Sequence, residues 1–342
     1  MTQLNFPKQT STTRTTDKIS IKSLAKSWAK KYTENLSDLK HQIHGGRVMT
    51  AQYLMDSLRS ASIKAWSETE RLLAAEVKRH RINARLIDPW QISQDVYAIY
   101  EKSIAAYNRN LIPRRLALEI GPDLGKIREK YTLQDPRIIG FAGMQFHLSG
   151  QYLLETLPQL ERSRVSKYFK AIDDHLYMPL QRTYEAAANH SEASQALAAV
   201  RNLLPASSEI AYNIYQHVIR TYPRYQCYSG SLSDEIVQVS SLRDIEMFQV
   251  YLWASVLEES VAPLQQELFP LCLMLYPTLG VSWELVRQLV YQMAQELNTR
   301  LSRQQMALFK PYLQVLWDLF SPEVFPDTLS KEQVDNVPSQ VG

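Results

Sequence analysis

Apolar residues recur every three or four positions through most of the chain, the spacing that gathers them on one face of an α-helix. Ile21, Leu24, Trp28, Tyr32, Leu36, Leu39 and Ile43 define a first helix starting at Ser20, with Lys22, Lys26, Lys30 and Lys31 mostly off its apolar face. His44-Gly45-Gly46 should end it, because glycine takes the left-handed conformation found at helix ends. A longer helix is expected from Thr50 to Arg85, with Leu54, Leu58, Ala61, Ala65, Leu72 and Leu73 turned inward. It closes on Lys78-Arg79-His80-Arg81, the charge that the negative end of a helix dipole prefers. Asp88-Pro89 starts another amphipathic helix through Val96, Tyr100, Ile104, Tyr107 and Leu111. Residues 112–134 are interrupted by Pro113, Gly121, Pro122 and Gly125 and read as a connector with short helical pieces.

The stretch Asp135–His190 reads as two consecutive helices divided at Pro158, the first apolar on nearly every side and the second kinked at Pro179. A short helix from Ser191 to Leu204 should stop at Pro205, and Ser207 or Ser208 should cap the next, which runs to Tyr222. Residues 223–239 read as a long loop. Ser241-x-x-Asp244 has the form of a capping box with Asp in place of Glu, ahead of a nearly all-apolar helix from Leu242 to Val261. Pro263 restarts a helix that Pro270 bends and Pro277 ends; Ser282 caps one to Leu301, and a last helix covers 303–320. The pattern gives about ten helices and no strand. The fold class is all-α, an irregular multi-helix bundle built around the Asp135 and Leu242 helices. One bundle, or two lobes at 20–190 and 191–320, both satisfy it. Residues 1–19, a basic Thr/Ser-rich arm, and the polar tail 321–342 lack apolar periodicity and read as disordered.

Composition agrees with helices. Ten glycines in 342 residues is well below the roughly 7% of average usage, and sheet-rich folds need glycine for hairpins and bulges. Cys227 and Cys272 lie far apart with no partner motif, which argues against a disulfide framework and suits a reducing cytoplasm. The most apolar run, Leu268 to Val281, contains two prolines and is shorter than the roughly 20 residues of a single span, so no transmembrane segment is expected. Charge is unevenly placed: residues 1–85 carry 16 Lys and Arg against 7 Asp and Glu, and the remainder 22 against 28. Lys26, Lys30, Lys31, Lys78, Arg79 and Arg81 could therefore meet an acidic protein, anionic lipid headgroups or nucleic acid. A solvated basic helix face is the plainer alternative. The arm at 1–19 also has the hydroxyl-rich, basic character of a transit peptide.

Candidate chemistry is sparse. Gly143, His147, Gln151 and Glu155 follow one stripe of the first central helix, and Asp173, Asp174, His175 and Glu185 lie on the next. With Glu258 or Glu259, His147, Glu155, Asp174 and Glu185 could form a carboxylate and histidine metal site in a bundle core, although the Glu-x-x-His pair of di-iron bundles is absent. The alternative is a core histidine, with the acids paired to Lys167, Lys170 and Arg182. Asp38-x-x-His41-x-x-His44 is a second ligand-like spacing, but a single metal would need the helix end to unwind at Gly45, so capping of the helix end is the favoured reading. Tyr222, Arg224, Tyr225 and Tyr228 interleave aromatic and basic groups, as in surfaces that stack bases or anchor proteins. A packed loop is the alternative. There is no nucleophile elbow, phosphate loop or zinc spacing, so no catalytic residue is assigned and the cofactor is left unknown.

The stretches MQFHLSGQYLLETL, YFKAIDDHLYMPLQRTYEAA and RDIEMFQVYLWASVLEE resemble an all-helical protein family of cyanobacteria, over about 135–300. The resemblance implies a bacterial cytoplasm that contains thylakoids, and it makes a transit peptide less expected. The sequence thus points to a non-enzymatic interaction, assembly or regulatory protein, by analogy at the thylakoid surface. A protein partner ranks first, an anionic membrane surface second and nucleic acid third. A metal- or cofactor-binding bundle is the alternative function.

Overall fold

The computed structural model describes residues 13–32 and 44–326. In chain order they form α1 (Thr13–Ala29), α2 (His44–Arg79), α3 (Pro89–Asn108), α4 (Pro113–Thr132), α5 (Ile138–Glu155), α6 (Gln159–Tyr177), α7 (Leu180–Ala188), α8 (Gln195–Leu203) and α9 (Ser207–Thr221). A small antiparallel hairpin follows, β1 (Gln226–Cys227) and β2 (Gly230–Ser231), with Cys227 opposite Gly230. Then come α10 (Glu235–Glu258), a π-helical turn at Pro263–Leu268, α11 (Phe269–Thr278), α12 (Trp283–Arg300) and α13 (Arg303–Leu319).

The all-α class and the two central elements stand. Every residue of α5 from Ile138 to Phe146 is buried, and so is every residue of α10 from Ile245 to Leu257. Neither helix has a solvent face along these runs because neighbours cover all sides. α2 and α6 pack on α5, while α7, α9, α13 and the π turn pack on α10. Buried apolar residues from Leu24 to Phe320 join in one contiguous cluster. Each large aliphatic or aromatic side chain in it contributes about 1.5–3 kcal/mol relative to exposure.

Several local expectations are corrected. α1 ends at Ala29 and closes through turns to Tyr32, where Tyr32 N–H donates to Ala29 O. Gly45 and Gly46 open α2 instead of ending a helix. Leu36, Leu39, Ile43, Asp38 and His41 lie outside the described residues, as does the side chain of His44. α1 also starts at Thr13, inside the arm expected to be disordered. The expected connector at 112–134 is one continuous helix with Pro122 inside it. Proline there removes the donor for the carbonyl four residues back, but the glycines beside it serve packing. A Cβ on Gly125 would stand 2.7 Å from Cβ and Cγ of Gln181 in α7. These glycines let α4 lie close to α6 and α7, so they do not mark breaks.

Pro179 does more than kink a helix. Met178 is extended (φ −102°, ψ 140°), as the residue before proline prefers, and α6 and α7 are separate. α10 starts at Glu235, so Ser241 and Asp244 lie within the helix and form no cap. Ser207 and Ser208 do not cap α9 either, since the chain enters it directly from a 3₁₀ turn at Leu204–Ala206. Ser282 does cap α12, accepting from Leu285 N–H. A full capping box, Ser302 with Gln305, starts α13. The start of the tail is anchored at two points: Ser321 is buried, Phe325 stacks on Trp283 with ring centroids 4.3 Å apart, and Arg287 donates to the carbonyls of Phe320 and Phe325. The rest of the tail lies outside the described residues. No helix among them is long and apolar enough to cross a membrane.

Candidate functional site

A cavity of about 330 Å³ opens between α2, α5, α9, the hairpin, α10, α11 and α12. That volume falls within the roughly 300–1,000 Å³ of small-molecule sites. The polar stripe of α5 reaches it, for His147, Gln151 and Glu155 all line the wall. The deep end holds Tyr177 of α6 and Arg243 of α10, while Glu155, Tyr228, Ser229 and Ile236 are exposed at the mouth. The walls between are aliphatic and aromatic, among them Leu72, Met144, Leu148, Leu271 and Val286.

Arg243 is the one Lys or Arg among the lining residues. Its guanidinium lies over the Tyr177 ring, 3.9 Å from the centroid. Nε and Nη2 donate to Asp244 Oδ1 at 3.3 and 3.1 Å. His147 Nδ1 lies 2.8 Å from Asp173 Oδ2. A carboxylate only accepts, so Nδ1 donates to it, and the approach of Arg243 Nη1 to the same nitrogen at 3.4 Å is not a hydrogen bond. Burial opposes the charge of Arg243, but Tyr177, Asp244 and Asp173 outweigh it and keep the side chain a firm cation. Burial pushes the Tyr177 phenol well up. Both thiols also reach this cavity. Burial, with Asp244 adding to it, pushes Cys227 up to about 11, and burial raises Cys272, so neither is a thiolate at neutral pH. Of the three carboxylates in the lining, Glu68 accepts from Arg71 and Tyr228, Asp244 accepts from Arg243, and Glu155 stands exposed at the mouth. The lining suits an apolar body with a polar group at the Arg243 and Asp244 end.

The five expected metal ligands do not converge. Only His147 and Glu155 line the cavity. Asp174 is fully buried and points away, accepting from Tyr32 Oη at 2.8 Å and Lys170 Nζ at 3.0 Å, with Lys31 Nζ at 3.4 Å. Glu185 accepts from Gln181 on an exposed face, and Glu258 takes Nε and Nη2 of Arg182 at 2.5 and 2.7 Å. Adjacent helical positions diverge by about 100°, which sends Asp173 toward α5 and Asp174 toward α1 and α10. Among the described residues, no group of three or more His, Cys, Asp or Glu is arranged to hold a metal ion.

The expected contact residues also separate. Lys26, Lys30, Lys78, Arg79 and Arg81 are exposed, with Arg79 paired to Glu76 at 2.9 Å. Lys31 belongs to the interior: its Nζ is 2.5 Å from Glu246 Oε2 and lies over the Trp28 ring at 4.0 Å. Tyr222 and Tyr225 are buried bolts of the hairpin base. Tyr222 Oη donates to Glu284 at 2.9 Å; Tyr225 Oη donates to Gly280 O and accepts from Ser282 N–H, both at 2.8 Å. Arg224 and Tyr228 remain exposed. Sequence reasoning missed Arg243 because Ser-Leu-Arg-Asp was read as a helix start. The signal was there in the one Lys or Arg of a helix that is otherwise apolar or acidic over most of its length.

Fold and cavity define a class, a helical protein with a buried central helix and a largely apolar cavity beside it. Residues 167–319 match the family model described as phycobilisome protein, a segment somewhat under half the chain. The match overlaps most of the stretch that carries the cyanobacterial resemblance and covers α10 to α13 with the hairpin. No curated protein and no solved structure matches the chain.

Proposed function

We propose that this chain is a non-enzymatic helical protein that assembles with phycobilisome proteins in a light-harvesting antenna at the thylakoid surface of a cyanobacterium. The observation that carries the reading is the family match at 167–319, because it falls on the packed half containing α10 and most of the cavity wall. The test is to tag the chain in a cyanobacterial host, cross-link, and separate antenna complexes on a sucrose gradient. Co-migration with pigmented antenna fractions, and altered assembly when the gene is removed, is the expected result. Recovery only in unassociated fractions, with antennae assembled normally in its absence, overturns it.

The cavity favours a second, compatible reading: a noncovalent site for a small apolar ligand with a polar group held near Asp244 and Arg243. Spectra and mass spectrometry of protein purified from its host under native conditions test it. A stoichiometric small molecule lost in Arg243→Gln supports it, and its absence from native protein counts against it.

A further inference from the structure

We infer that the Tyr228 side chain is the gate of the cavity, controlling exchange of its ligand with solvent; this rests on the ligand-site reading above. Tyr228 occupies the tip of the hairpin, lines the cavity and is still 51% exposed. On one side the tip is fixed by backbone, with Tyr228 N–H donating to Leu279 O at 2.9 Å. The hairpin base is bolted by Tyr225 Oη to Gly280 O and by Tyr215 Oη to Leu232 O at 2.7 Å. On the other side, toward α2, the phenol makes the polar contacts. Arg71 Nη2 donates to Tyr228 Oη, which donates to Glu68 Oε1 at 3.2 Å.

The two sides differ in strength. The base contacts are buried or half-buried, whereas the Arg71 side chain is 56% exposed, and polar contacts in water hold little. Side-chain rotation at an exposed site is fast. Rotation of the Tyr228 side chain opens the space between the hairpin tip and α2 without moving the hairpin backbone. Glu68 and Leu72 stand on the far side of that gap and themselves line the cavity, so the path leads directly inside.

The probe is N-phenyl-1-naphthylamine, a neutral apolar fluorophore with one N–H donor, mixed with the full chain in a stopped-flow instrument. Tyr228→Phe keeps the ring and removes both phenol contacts; Arg71→Ala removes one of the two and also frees the Glu68 carboxylate that Arg71 holds. Both are expected to raise association and dissociation rates together by roughly three- to tenfold, the range for one or two lost hydrogen bonds, with Kd within about twofold of wild type. Leu72→Trp, which narrows the cavity from its half-buried α2 wall, should weaken binding and so place the probe. Unchanged rates in both variants, with binding still weakened by Leu72→Trp, overturn the gate and leave the cavity reading intact. Failure of the wild-type chain to bind, or binding indifferent to Leu72→Trp, overturns the cavity reading and the gate with it.

Discussion

At the scale of single residues, His175 shows how burial turns a side chain into a pH sensor of stability. It is buried on α6, donates from Nδ1 to Ala171 O at 2.8 Å, and lies beside Tyr32 with ring centroids 6.3 Å apart. Burial holds its pKa below the ordinary histidine value, against the pull of the Ala171 carbonyl and Asp174. The unfolded chain therefore takes the proton first, at about pH 6.5. Stability from this group is complete above that value and is lost as pH falls through it toward the lower folded pKa. Asp174 extends the loss further into acid. Burial raises its pKa, but Lys170, Lys31 and the hydrogen bonds from Lys170 and Tyr32 hold the carboxyl below its ordinary value. Its contribution is present above about pH 3.9 and fades below. The thermal midpoint is expected to stay level down to about pH 7 and then decline toward pH 5. In His175→Phe the decline between pH 6.5 and 5 should flatten, although the variant starts lower. A slope identical to wild type would assign the loss to other groups. The existence of a polar stripe was legible at this scale, since His147, Gln151 and Glu155 share a cavity wall. The partner of each acid was not, because whether Asp173 or Asp174 meets His147 depends on helix rotation that spacing alone leaves open.

At the scale of elements, amphipathic runs announced the helices, and errors cluster where proline and glycine were read as breaks. In α4 the glycine acts through a neighbour distant in sequence. A methyl on Gly125 would meet Cβ and Cγ of Gln181 at 2.7 Å, and a Cβ tied to its backbone cannot step aside. Gly46, in the first turns of α2, has nothing within 4 Å of an added methyl. Gly125→Ala should therefore cost about 1–3 kcal/mol through overpacking. Gly46→Ala should gain up to about 1 kcal/mol by lowering the entropy of the unfolded chain. Urea midpoints of the two variants check the contrast. Equal effects would mean that helix propensity, and not the closeness of α4 to α7, sets the outcome. The hairpin escaped notice for a related reason. Two residues per strand leave no alternation to detect, and its position is held by Tyr222 and Tyr225, whose aromatic and basic surroundings resembled a binding surface.

For the whole molecule, the cavity could not be foreseen from spacing, because Glu68, His147, Tyr228 and Arg243 come from four segments that only tertiary packing joins. The same packing changes how the basic N-terminal quarter must be tested. α1 is part of the core: Trp28 is 1% exposed, and its ring meets Trp253 of α10 edge-on at 6.3 Å. Lys31 supplies charge to Glu246 and Asp174, both buried. Removing residues 1–32 uncovers Trp253 and leaves the two buried carboxylates to share Lys170. Breaking a buried pair costs about 3–5 kcal/mol, and the burial of Trp28 is lost as well. Together these are a large part of the roughly 5–15 kcal/mol of a typical domain. The deletion should thus lower the thermal midpoint sharply or abolish cooperative unfolding, and a lost partner would then report lost folding. Charge reversal at Lys26 and Lys30 separates the two effects. Both side chains are exposed, so Lys26→Glu with Lys30→Glu should keep stability within about 0.5 kcal/mol of wild type. If the basic face of α1 is the contact, this double variant should leave the antenna fractions while its thermal midpoint stays in place. Undiminished association at unchanged stability would remove that face from the contact and shift attention to Lys78 and Arg81 at the end of α2.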